Sequence, residues 1–260
     1  MPLIEKQLFG TVDKVKNSLA RLKEFEPDEG YYLAFSGGKD SIVIKHLAIE
    51  AGVKFEAVYN VTTIDPPELL KYMKQYHTEV TWKRLQPVSM LKMIETKGFP
   101  IRQVRWCCEF YKEGGGEDRR VLTGVRWAES PRRKLKRKMI EWWPKQRKMI
   151  SNPIIDWTDK DVWDYIHDRK LPYCELYDQG YKRLGCLMCP MASSRQRLKE
   201  SLDYPRWTEA FRRSFRRLYA NRKAAGRTSV DRWTDGDAMF DWWLTGEGSG
   251  DPDSCGGLFE

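Results

Sequence analysis

The sequence predicts an α/β protein with a parallel sheet, helices on both faces of that sheet, and a helical C-terminal region. Short apolar runs at residues 31–35 and 54–60 flank a helix-period segment at 41–51, which is a strand–helix–strand pattern. A glycine-containing turn joins the first run to that helix, and residues 201–227 have a basic helical pattern. Alternating strands and helices favour a parallel sheet, whose ligands lie beyond the carboxyl ends of the strands.

The other elements follow from local patterns. Apolar residues at steps of three and four between 4 and 25 predict an amphipathic N-terminal helix. Pro66 and Pro67 open a helix that runs to about His77, and Thr158 is the N-cap candidate of a later helix. Further strands are predicted at 78–83 and 120–125. The predicted organisation is an N-terminal helix at 1–29, a main domain at 30–190, a basic helical region at 191–245 and a flexible tail at 246–260.

Composition limits the class of protein. The 260 residues include six cysteines and no apolar run long enough to span a bilayer. There is no charged and then apolar leader after Met1, so we expect a soluble cytoplasmic protein without a membrane partner. In such a protein, cysteines more often bind metal or perform redox chemistry than form structural disulfides.

The charge distribution indicates an anionic partner. The formal net charge is +9, and positive residues are concentrated at 132–148 and 206–227. Lys and Arg supply most of the sequence-independent affinity for nucleic acids, and the aromatic residues between these charges could stack on bases. The pattern favours a nucleic-acid partner. A solvated helix face and a pocket for a small anion are the alternatives.

The turn after the first strand is a candidate phosphate site. It reads Ser36, Gly37, Gly38, Lys39, Asp40 and Ser41. The glycines let backbone N–H groups approach phosphate oxygens, and the following helix adds the positive end of its dipole. Lys39 can neutralise phosphate charge, and Asp40 can hold a Mg²⁺ ion. A Walker A loop is excluded, because Leu33 and Asp40 stand where that motif needs Gly and Ser or Thr. An ordinary glycine-rich turn is the alternative.

This turn resembles the PP-loop of the ATP pyrophosphatase superfamily, whose members cleave ATP between the α and β phosphates and pass AMP to an acceptor. The resemblance implies an adenine-nucleotide α-hydrolase-like fold. It also implies that ATP binds with its β and γ phosphates on the turn, that residues 36–41 are the ligands, and that Lys39 and Asp40 take part in catalysis.

Four cysteines form a candidate cofactor site. Cys107 and Cys108 are adjacent, and Cys186 and Cys189 form a CxxC pair far along the chain. Four thiolates are the number that an iron–sulfur cube or a structural zinc needs. Adjacent cysteines do not easily chelate one tetrahedral ion but can bind two corners of a larger cluster, which favours [4Fe–4S]. Zinc, a redox disulfide at the CxxC pair and buried free thiols are the alternatives.

The cysteine pattern resembles the cluster motif of adenylyl-sulfate reductases and of related ATP pyrophosphatases that take part in sulfur transfer. Residues 123–126 with Ser130 and Arg133 are similar to the substrate-phosphate segment of the phosphoadenylyl-sulfate (PAPS) reductase family. The resemblance covers most of residues 30–190. It implies that Gly124, Arg126 and Ser130 bind the nucleotide, that Arg126 and Arg133 are catalytic, and that Lys112 lies near the cluster.

Two features separate activities within this family. Reductases act on preformed adenylyl sulfate, and their loop usually departs from Ser-Gly-Gly-Lys-Asp-Ser, whereas this chain keeps it. Reductases also use a tail cysteine within Glu-Cys-Gly-(Ile/Leu)-His, and here Cys255 and Gly256 stand without that Glu and His. Cys255 is a candidate nucleophile, with an incidental exposed thiol as the alternative. Cys174 is interpreted as a core thiol, and no catalytic role is assigned to the histidines.

The leading interpretation is an AMP-forming ATP pyrophosphatase that adenylates an acceptor for sulfur incorporation. The basic helices and the resemblance favour nucleic acid as acceptor, as in DNA phosphorothioation or tRNA thiolation, with a sulfur donor such as a cysteine desulfurase. One alternative is a PAPS or adenylyl-sulfate reductase that releases sulfite, with Cys255 as nucleophile and thioredoxin as electron donor. Another is a nucleic-acid-binding subunit that only senses ATP.

Overall fold

The structure, a computed structural model, describes residues 3–7 and 10–246. The chain divides into two compact units. The sheet unit comprises Met1–Val61, Pro67–Leu85 and Gly114–Gly185, and the helical unit comprises Thr62–Pro66, Gln86–Glu113 and Cys186–Glu260. Each unit is therefore assembled from segments that are distant in sequence.

The described residues form eight strands and ten α-helices. In chain order these are β1 (Ile4–Gln7), β2 (Gly10–Asp13), α1 (Lys14–Glu24), β3 (Tyr31–Ala34), α2 (Lys39–Ala51), β4 (Phe55–Asn60), α3 (Pro67–Tyr76), β5 (Thr81–Lys83), α4 (Met90–Lys97), α5 (Trp106–Tyr111), β6 (Arg120–Leu122), α6 (Pro131–Lys136), β7 (Ile140–Trp143), β8 (Lys148–Ser151), α7 (Asp159–Asp168), α8 (Ser194–Asp203), α9 (Pro205–Ala224) and α10 (Gly236–Thr245).

The sheet unit is built on a six-stranded sheet of order β5-β4-β3-β6-β8-β7. Its strands are parallel except β7, which pairs antiparallel with β8. Tyr32, Val58, Val121 and Ile150 form a buried cluster across β3, β4, β6 and β8. The chain runs from β3 outward to β5 and then returns to β6 on the other side of β3. The carboxyl ends of β3 and β6 therefore flank a topological switch point, where ligands of such sheets bind.

The N-terminal segment differs from its prediction. A helix was expected over residues 4–25, but β1 and β2 pair antiparallel, with Ile4 opposite Asp13, and helix α1 begins only at Lys14. The Asp13 side chain accepts a hydrogen bond from the Lys16 N–H at 3.0 Å, which caps the helix at that point. Gly10 is also a poor helix former. Capping and strand pairing thus outweigh the apolar periodicity.

The far side of the sheet also differs from expectation. The strand predicted at 120–125 ends at Leu122, so residues 123–126 form a loop at the carboxyl edge. Strands β7 and β8 were not predicted, because each contains only four residues and lies beside a strongly basic segment. The predicted parallel sheet is therefore mixed, with one antiparallel edge strand. It is flanked by helices, as expected.

The helical unit has an aromatic core. Phe215 of α9 stacks on Phe99 with ring centroids 5.1 Å apart and contacts Trp243 of α10 at 5.3 Å. The basic helix predicted at 201–227 is two helices, because Pro205 starts a new helix at its first position. Arg212 and Arg216 of α9 pair with Asp237, so part of the positive charge is neutralised internally. No helix among the described residues is long and apolar enough to cross a membrane.

Candidate active site

The loop between β3 and α2 has the geometry of an anion site. Gly37 has a positive φ of 71°, and a Cβ there would lie 2.7 Å from the Met73 side chain, so both the conformation and the space require glycine. Helix α2 begins at Lys39 after Gly38, which provides no side-chain cap. Ser41 Oγ closes the loop by donating to the Gly38 carbonyl at 2.8 Å and accepting from the Ser36 N–H at 3.2 Å. The helix N-terminus is thus held in position without a capping side chain.

An ion network around the buried Arg126 joins this loop to the loop after β6. Arg126 is 1% exposed. Its guanidinium donates to Asp40 Oδ1 at 2.7 Å and to Asp159 Oδ1 at 2.6 Å. Lys39 Nζ lies 3.4 Å from Asp40 Oδ2 and 3.5 Å from Asp159 Oδ1. Two cations and two carboxylates therefore alternate at the carboxyl ends of β3 and β6.

Electrostatics follow from this arrangement. Burial acts to lower the pKa of Arg126, but the carboxylates of Asp40 and Asp159 raise it above its ordinary value. For Asp159, burial acts to raise the pKa, but the hydrogen bond from Arg126 and the charge of Lys39 lower it. Both groups are charged at neutral pH, so the network is a set of ion pairs.

Gly124 permits the close approach of the two loops. A Cβ at this position would lie 2.7 Å from the Asp40 Cβ and 3.3 Å from the Asp40 backbone carbon. Such contacts are shorter than van der Waals distances, so a larger residue would push the β6 loop away from the first turn of α2. The structure thus places Gly124 against Asp40.

The Tyr177 hydroxyl lies at the phosphate loop. It accepts a hydrogen bond from the Lys39 backbone N–H at 2.9 Å. The Tyr177 ring packs edge to face on Trp163, with centroids 5.0 Å apart. The Tyr177 hydroxyl oxygen thus already accepts a hydrogen bond from one backbone N–H of the loop. Phosphate oxygens bind helix N-termini through N–H groups of this kind.

Ser130 and Arg133 lie at the short helix α6. Ser130 Oγ accepts the Arg133 N–H at 3.2 Å and is the N-cap of that helix. The Arg133 side chain is 32% exposed and pairs with Glu129. Burial and the nearby charge of Arg183 lower the pKa of Arg133. Both residues thus have a local role in the sheet unit, and Arg133 is the more accessible of the two predicted catalytic arginines.

The four predicted ligand cysteines all lie in the helical unit, although two sequence segments supply them. Cys107 is buried, and Cys108, Cys186 and Cys189 are partly exposed. The Cys107 thiol hydrogen-bonds to Cys108, which lowers the pKa of Cys108 and raises that of Cys107. Among the described residues, no group of three or more His, Cys, Asp and Glu side chains is arranged to hold a metal ion.

The CxxC segment is held by its backbone. The Leu187 N–H donates to the Ile64 carbonyl at 2.9 Å, and the Met188 N–H donates to the buried carboxylate of Glu200 at 2.5 Å. Met188 has a positive φ of 52°, which turns the chain between the two cysteines. Such fixed geometry places Cys186 and Cys189 on one tight turn.

Lys112 lies near these thiols, as predicted. Burial acts to lower the pKa of Lys112, but Cys186, Asp65 and Cys189 raise it. Nearby, Arg102 donates to the Pro190 and Ala192 carbonyls at 3.0 and 3.1 Å. Lys112 thus brings positive charge close to Cys186 and Cys189, which acts to favour thiolates, but burial outweighs it at Cys186 and raises the pKa of that thiol.

Sequence patterns did not identify two residues of this site, Asp159 and Tyr177. For Asp159 the sequence predicted only a place at the start of a helix. Its pairing with Arg126 depends on tertiary structure. Tyr177 was assigned no role from the sequence. Cys174 is buried, as expected. Cys255 and the rest of the predicted tail beyond Gly246 lie outside the described residues.

Comparisons with known proteins show the family to which the chain belongs. The family described as "Phosphoadenosine phosphosulfate reductase domain" matches residues 30–192. An uncharacterized protein of Methanocaldococcus jannaschii is 29% identical over 224 residues, covering 82% of this chain and 45% of that protein. A second one from the same organism is 30% identical and covers 76% and 53%. The chain thus spans about half the length of these relatives.

Relatives with named activities and a solved structure also match. An adenosine 5'-phosphosulfate reductase of Geobacillus kaustophilus is 29% identical over 201 residues, covering 71% of this chain and 84% of that enzyme. The crystal structure of phosphoadenylyl-sulfate (PAPS) reductase from Candida auris in a phosphate complex has a TM-score of 0.50 and 18% identity, covering 65% of this chain and 88% of that one. At this identity the structural likeness supports the fold alone.

Proposed function

Because the chain belongs to the phosphoadenosine phosphosulfate reductase domain family, we propose that it is a PP-loop enzyme that cleaves ATP to AMP and pyrophosphate while adenylating an acceptor. The single observation that carries the proposal is the intact loop from Ser36 to Ser41, with Gly37 at positive φ and Lys39 beside it. A loop shaped to hold two phosphates is needed when pyrophosphate leaves, and a reductase acting on adenylyl sulfate has no such group to hold.

In this proposal the leaving group lies on the loop. An oxygen of the acceptor attacks the α-phosphorus, the bond from that phosphorus to the bridging oxygen breaks, and pyrophosphate departs with the electron pair. Backbone N–H groups at the start of α2 and the Lys39 ammonium stabilise the charge that develops on pyrophosphate. The chemistry requires little proton transfer, so positioning and charge stabilisation dominate.

The two arginines have different parts. Arg126 is enclosed by Asp40 and Asp159 and acts by holding the Asp40 carboxylate against the loop. Arg133, with its side chain partly exposed, is the better candidate to contact the α-phosphate or the acceptor. Gly124 lets the loop after β6 lie against Asp40 in the first turn of α2. The Ser130 hydroxyl caps α6, the helix that carries Arg133.

Mg²⁺ fits the loop by donor type. This ion is usually held by one or two carboxylates together with substrate phosphates. The Asp40 side chain is 27% exposed, and Arg126 pairs with both Asp40 and Asp159. Lys39 also lies near Asp159. When bound, Mg²⁺ would neutralise phosphate charge. Asp40 is the residue that would hold it.

A [4Fe–4S] cluster is proposed from the number and chemistry of the cysteines alone, because no group of three or more His, Cys, Asp and Glu side chains in the described residues is arranged to hold a metal ion. Cys107, Cys108, Cys186 and Cys189 are four thiols of one unit, and Lys112 supplies positive charge beside them. Cysteine thiolates are the usual ligands of such clusters. When bound, the cluster would supply a site that binds or organises sulfur.

We further propose a nucleic-acid acceptor, DNA or tRNA, as in DNA phosphorothioation. The terminal sulfur of a persulfide on a donor such as a cysteine desulfurase would attack the activated acceptor and expel AMP with the activated oxygen. A thiol reductant would then cleave the remaining S–S bond and leave sulfur on the acceptor. Positive charge on the helical unit supports this choice over a small neutral acceptor.

Product analysis tests the reaction. The purified protein is incubated with ATP and Mg²⁺, with and without DNA or RNA, and nucleotides are separated by ion-exchange chromatography. We expect AMP and pyrophosphate in equal amounts. ADP with phosphate, or no turnover under any condition, would refute the pyrophosphatase.

One observation favours a second candidate, because several relatives are named adenosine 5'-phosphosulfate reductases. In that reaction the Cys255 thiolate would attack the sulfur of adenylyl sulfate, break its S–O bond and expel AMP. A thiol donor such as thioredoxin would then reduce the resulting S–S bond and release sulfite. Sulfite release that is lost in Cys255→Ser would establish the reductase in place of the pyrophosphatase.

A further inference from the structure

The helical unit contains an open groove of about 590 Å³ that is separate from the phosphate loop. The C-terminal end of α4, residues 104–106 and the C-terminal end of α9 form its walls, together with Arg227. Sites of about 300–1,000 Å³ accommodate ligands of nucleotide size. Arg222 of α9 and Arg227, which follows that helix, lie beyond residues 30–192, the range of the family match.

The groove concentrates positive charge without neutralising it. Lys97, Arg222 and Arg227 line it, and none of the three forms an ion pair within residues 3–7 and 10–246. Lys97 instead lies over the Phe110 ring at 4.5 Å. The carboxylate of Glu95, which also lines the groove, is bonded to Lys92 at 2.7 Å and to Arg217 at 3.0 Å. Arginines of this kind without acidic partners are suited to phosphate.

A second observation points to a hydrogen-bond acceptor as ligand. Trp106 lines the groove and is 8% exposed, and its indole Nε1 is buried with no hydrogen-bond partner among the described residues. A buried donor without an acceptor costs about 1–3 kcal/mol, so an unpaired one indicates a missing partner. Trp106 directly precedes Cys107, so the groove borders the cysteine site within one unit.

We propose that this groove binds the phosphodiester backbone of a nucleic-acid strand. A polymer is favoured over a free nucleotide because the groove is open and its outer cations, Lys97 and Arg227, are exposed at its rim. Arg222 and Arg227 contact phosphate oxygens, and Trp106 donates a hydrogen bond. The inference rests on the proposed nucleic-acid acceptor and assigns the surface that holds it.

Fluorescence anisotropy with labelled single-stranded DNA and RNA tests the assignment on the full chain. The groove variant is Arg222→Gln with Arg227→Gln. The matched control, Arg206→Gln with Arg213→Gln, removes the same charge from exposed positions of α9, the helix that carries Arg222. The affinity of each protein is measured as a function of salt concentration, and circular dichroism checks folding.

We expect the groove variant to bind the strand about tenfold more weakly and the slope of log affinity against log salt to decrease by about 1.4, as for two lost phosphate contacts to a single strand. The control pair should change affinity by less than about threefold. Trp106→Phe should weaken binding without changing the salt slope, because the lost donor is neutral.

Several results would overturn the assignment: no binding by the wild type, equal losses in the groove and control variants, or no loss in the groove variant. Complete competition by AMP or inorganic phosphate at equal concentration would show a site for free phosphate compounds instead. ATP cleavage is measured on the same proteins without nucleic acid. If binding depends on the groove but ATP is not cleaved, the proposed function fails and the groove assignment stands.

Discussion

Arg126 Nε donates a hydrogen bond to Asp40 Oδ1 at 2.7 Å, which joins the loop after β6 to the first turn of α2. The guanidinium is almost completely buried, and its other end is bonded to Asp159. The family resemblance implies that Arg126 binds the nucleotide and takes part in catalysis. The contacts instead support a positioning role, in which Arg126 fixes the carboxylate that is proposed to hold the metal ion.

We expect Arg126→Met to lower the free energy of unfolding by about 2–3 kcal/mol, because it removes the closer cation from two carboxylates and leaves them only Lys39, at 3.4 and 3.5 Å. The loss is smaller than for a fully buried pair, since Asp159 is largely exposed. Urea denaturation followed by circular dichroism measures it. Arg133→Met, whose carboxylate partner within residues 3–7 and 10–246 is Glu129, should cost less than about 1 kcal/mol. Equal costs would contradict the network.

Gly124→Ala should reduce ATP cleavage more than about tenfold, because the new Cβ would lie 2.7 Å from the Asp40 Cβ and displace the carboxylate. Gly52→Ala is the control, since it strains a positive φ of 71° at the end of α2 but meets no atom within 4 Å. It should cost about 1 kcal/mol of stability without loss of cleavage. Equal rates for both variants would show that loop proximity is unimportant.

Tyr177→Phe should bind ATP at least as tightly as the wild type, because the hydroxyl now accepts the Lys39 N–H that a phosphate oxygen would accept. Calorimetric titration with a non-hydrolysable ATP analogue measures the affinity. Tyr173→Phe, which removes a hydroxyl bonded to Asp178 in the same aromatic cluster, should leave the affinity unchanged. Weaker binding by Tyr177→Phe alone would mean that the hydroxyl contacts the nucleotide.

Purification without oxygen should yield protein containing about four iron and four sulfide per chain, the content of one cube. Cys108→Ser and Cys186→Ser should lose the visible absorption and most of the iron. Cys174→Ser is the control, because that buried thiol belongs to the sheet unit. Bound zinc with no iron would replace the cluster assignment.

Stability should fall in mild acid because of His77. Burial and the adjacent Lys45 lower the pKa of His77 from 6.5 to about 4, while Glu79 acts to raise it. His77 Nδ1 lies 2.6 Å from Lys45 Nζ, and Nε2 lies 2.7 Å from the Tyr72 hydroxyl. Below pH 6.5 the unfolded chain takes up a proton that the folded chain does not, so stability decreases until about pH 4.

The expected loss between pH 6.5 and pH 5 is about 2 kcal/mol. Urea denaturation across this range measures it, and His77→Gln should remove this part of the dependence. A variant with the same pH profile as the wild type would show that His77 is not the titrating group.

Sequence patterns predicted the strand–loop–helix at residues 31–51 because its signals are local: an apolar run, two glycines and a helix period. The N-cap role of Thr158 was predicted for the same reason and is confirmed by its bond to the Asp161 N–H. The pairing of Arg126 with Asp159 could not be predicted, since it depends on how the loop after β6 meets the start of α7. Likewise, β7 and β8 are short strands whose pairing outweighs weak local preferences.

The interleaving of the two units limits how the molecule can be divided. The backbone passes from one unit to the other at residues 61–62, 66–67, 85–86, 113–114 and 185–186. No single cut therefore releases either unit as an uninterrupted fragment. A truncation after the CxxC pair removes α8, α9 and α10 but leaves residues 62–66 and 86–113 of the same unit, which should pack on these helices. Expression of isolated halves should yield aggregates, and circular permutation is the better route to separating their contributions.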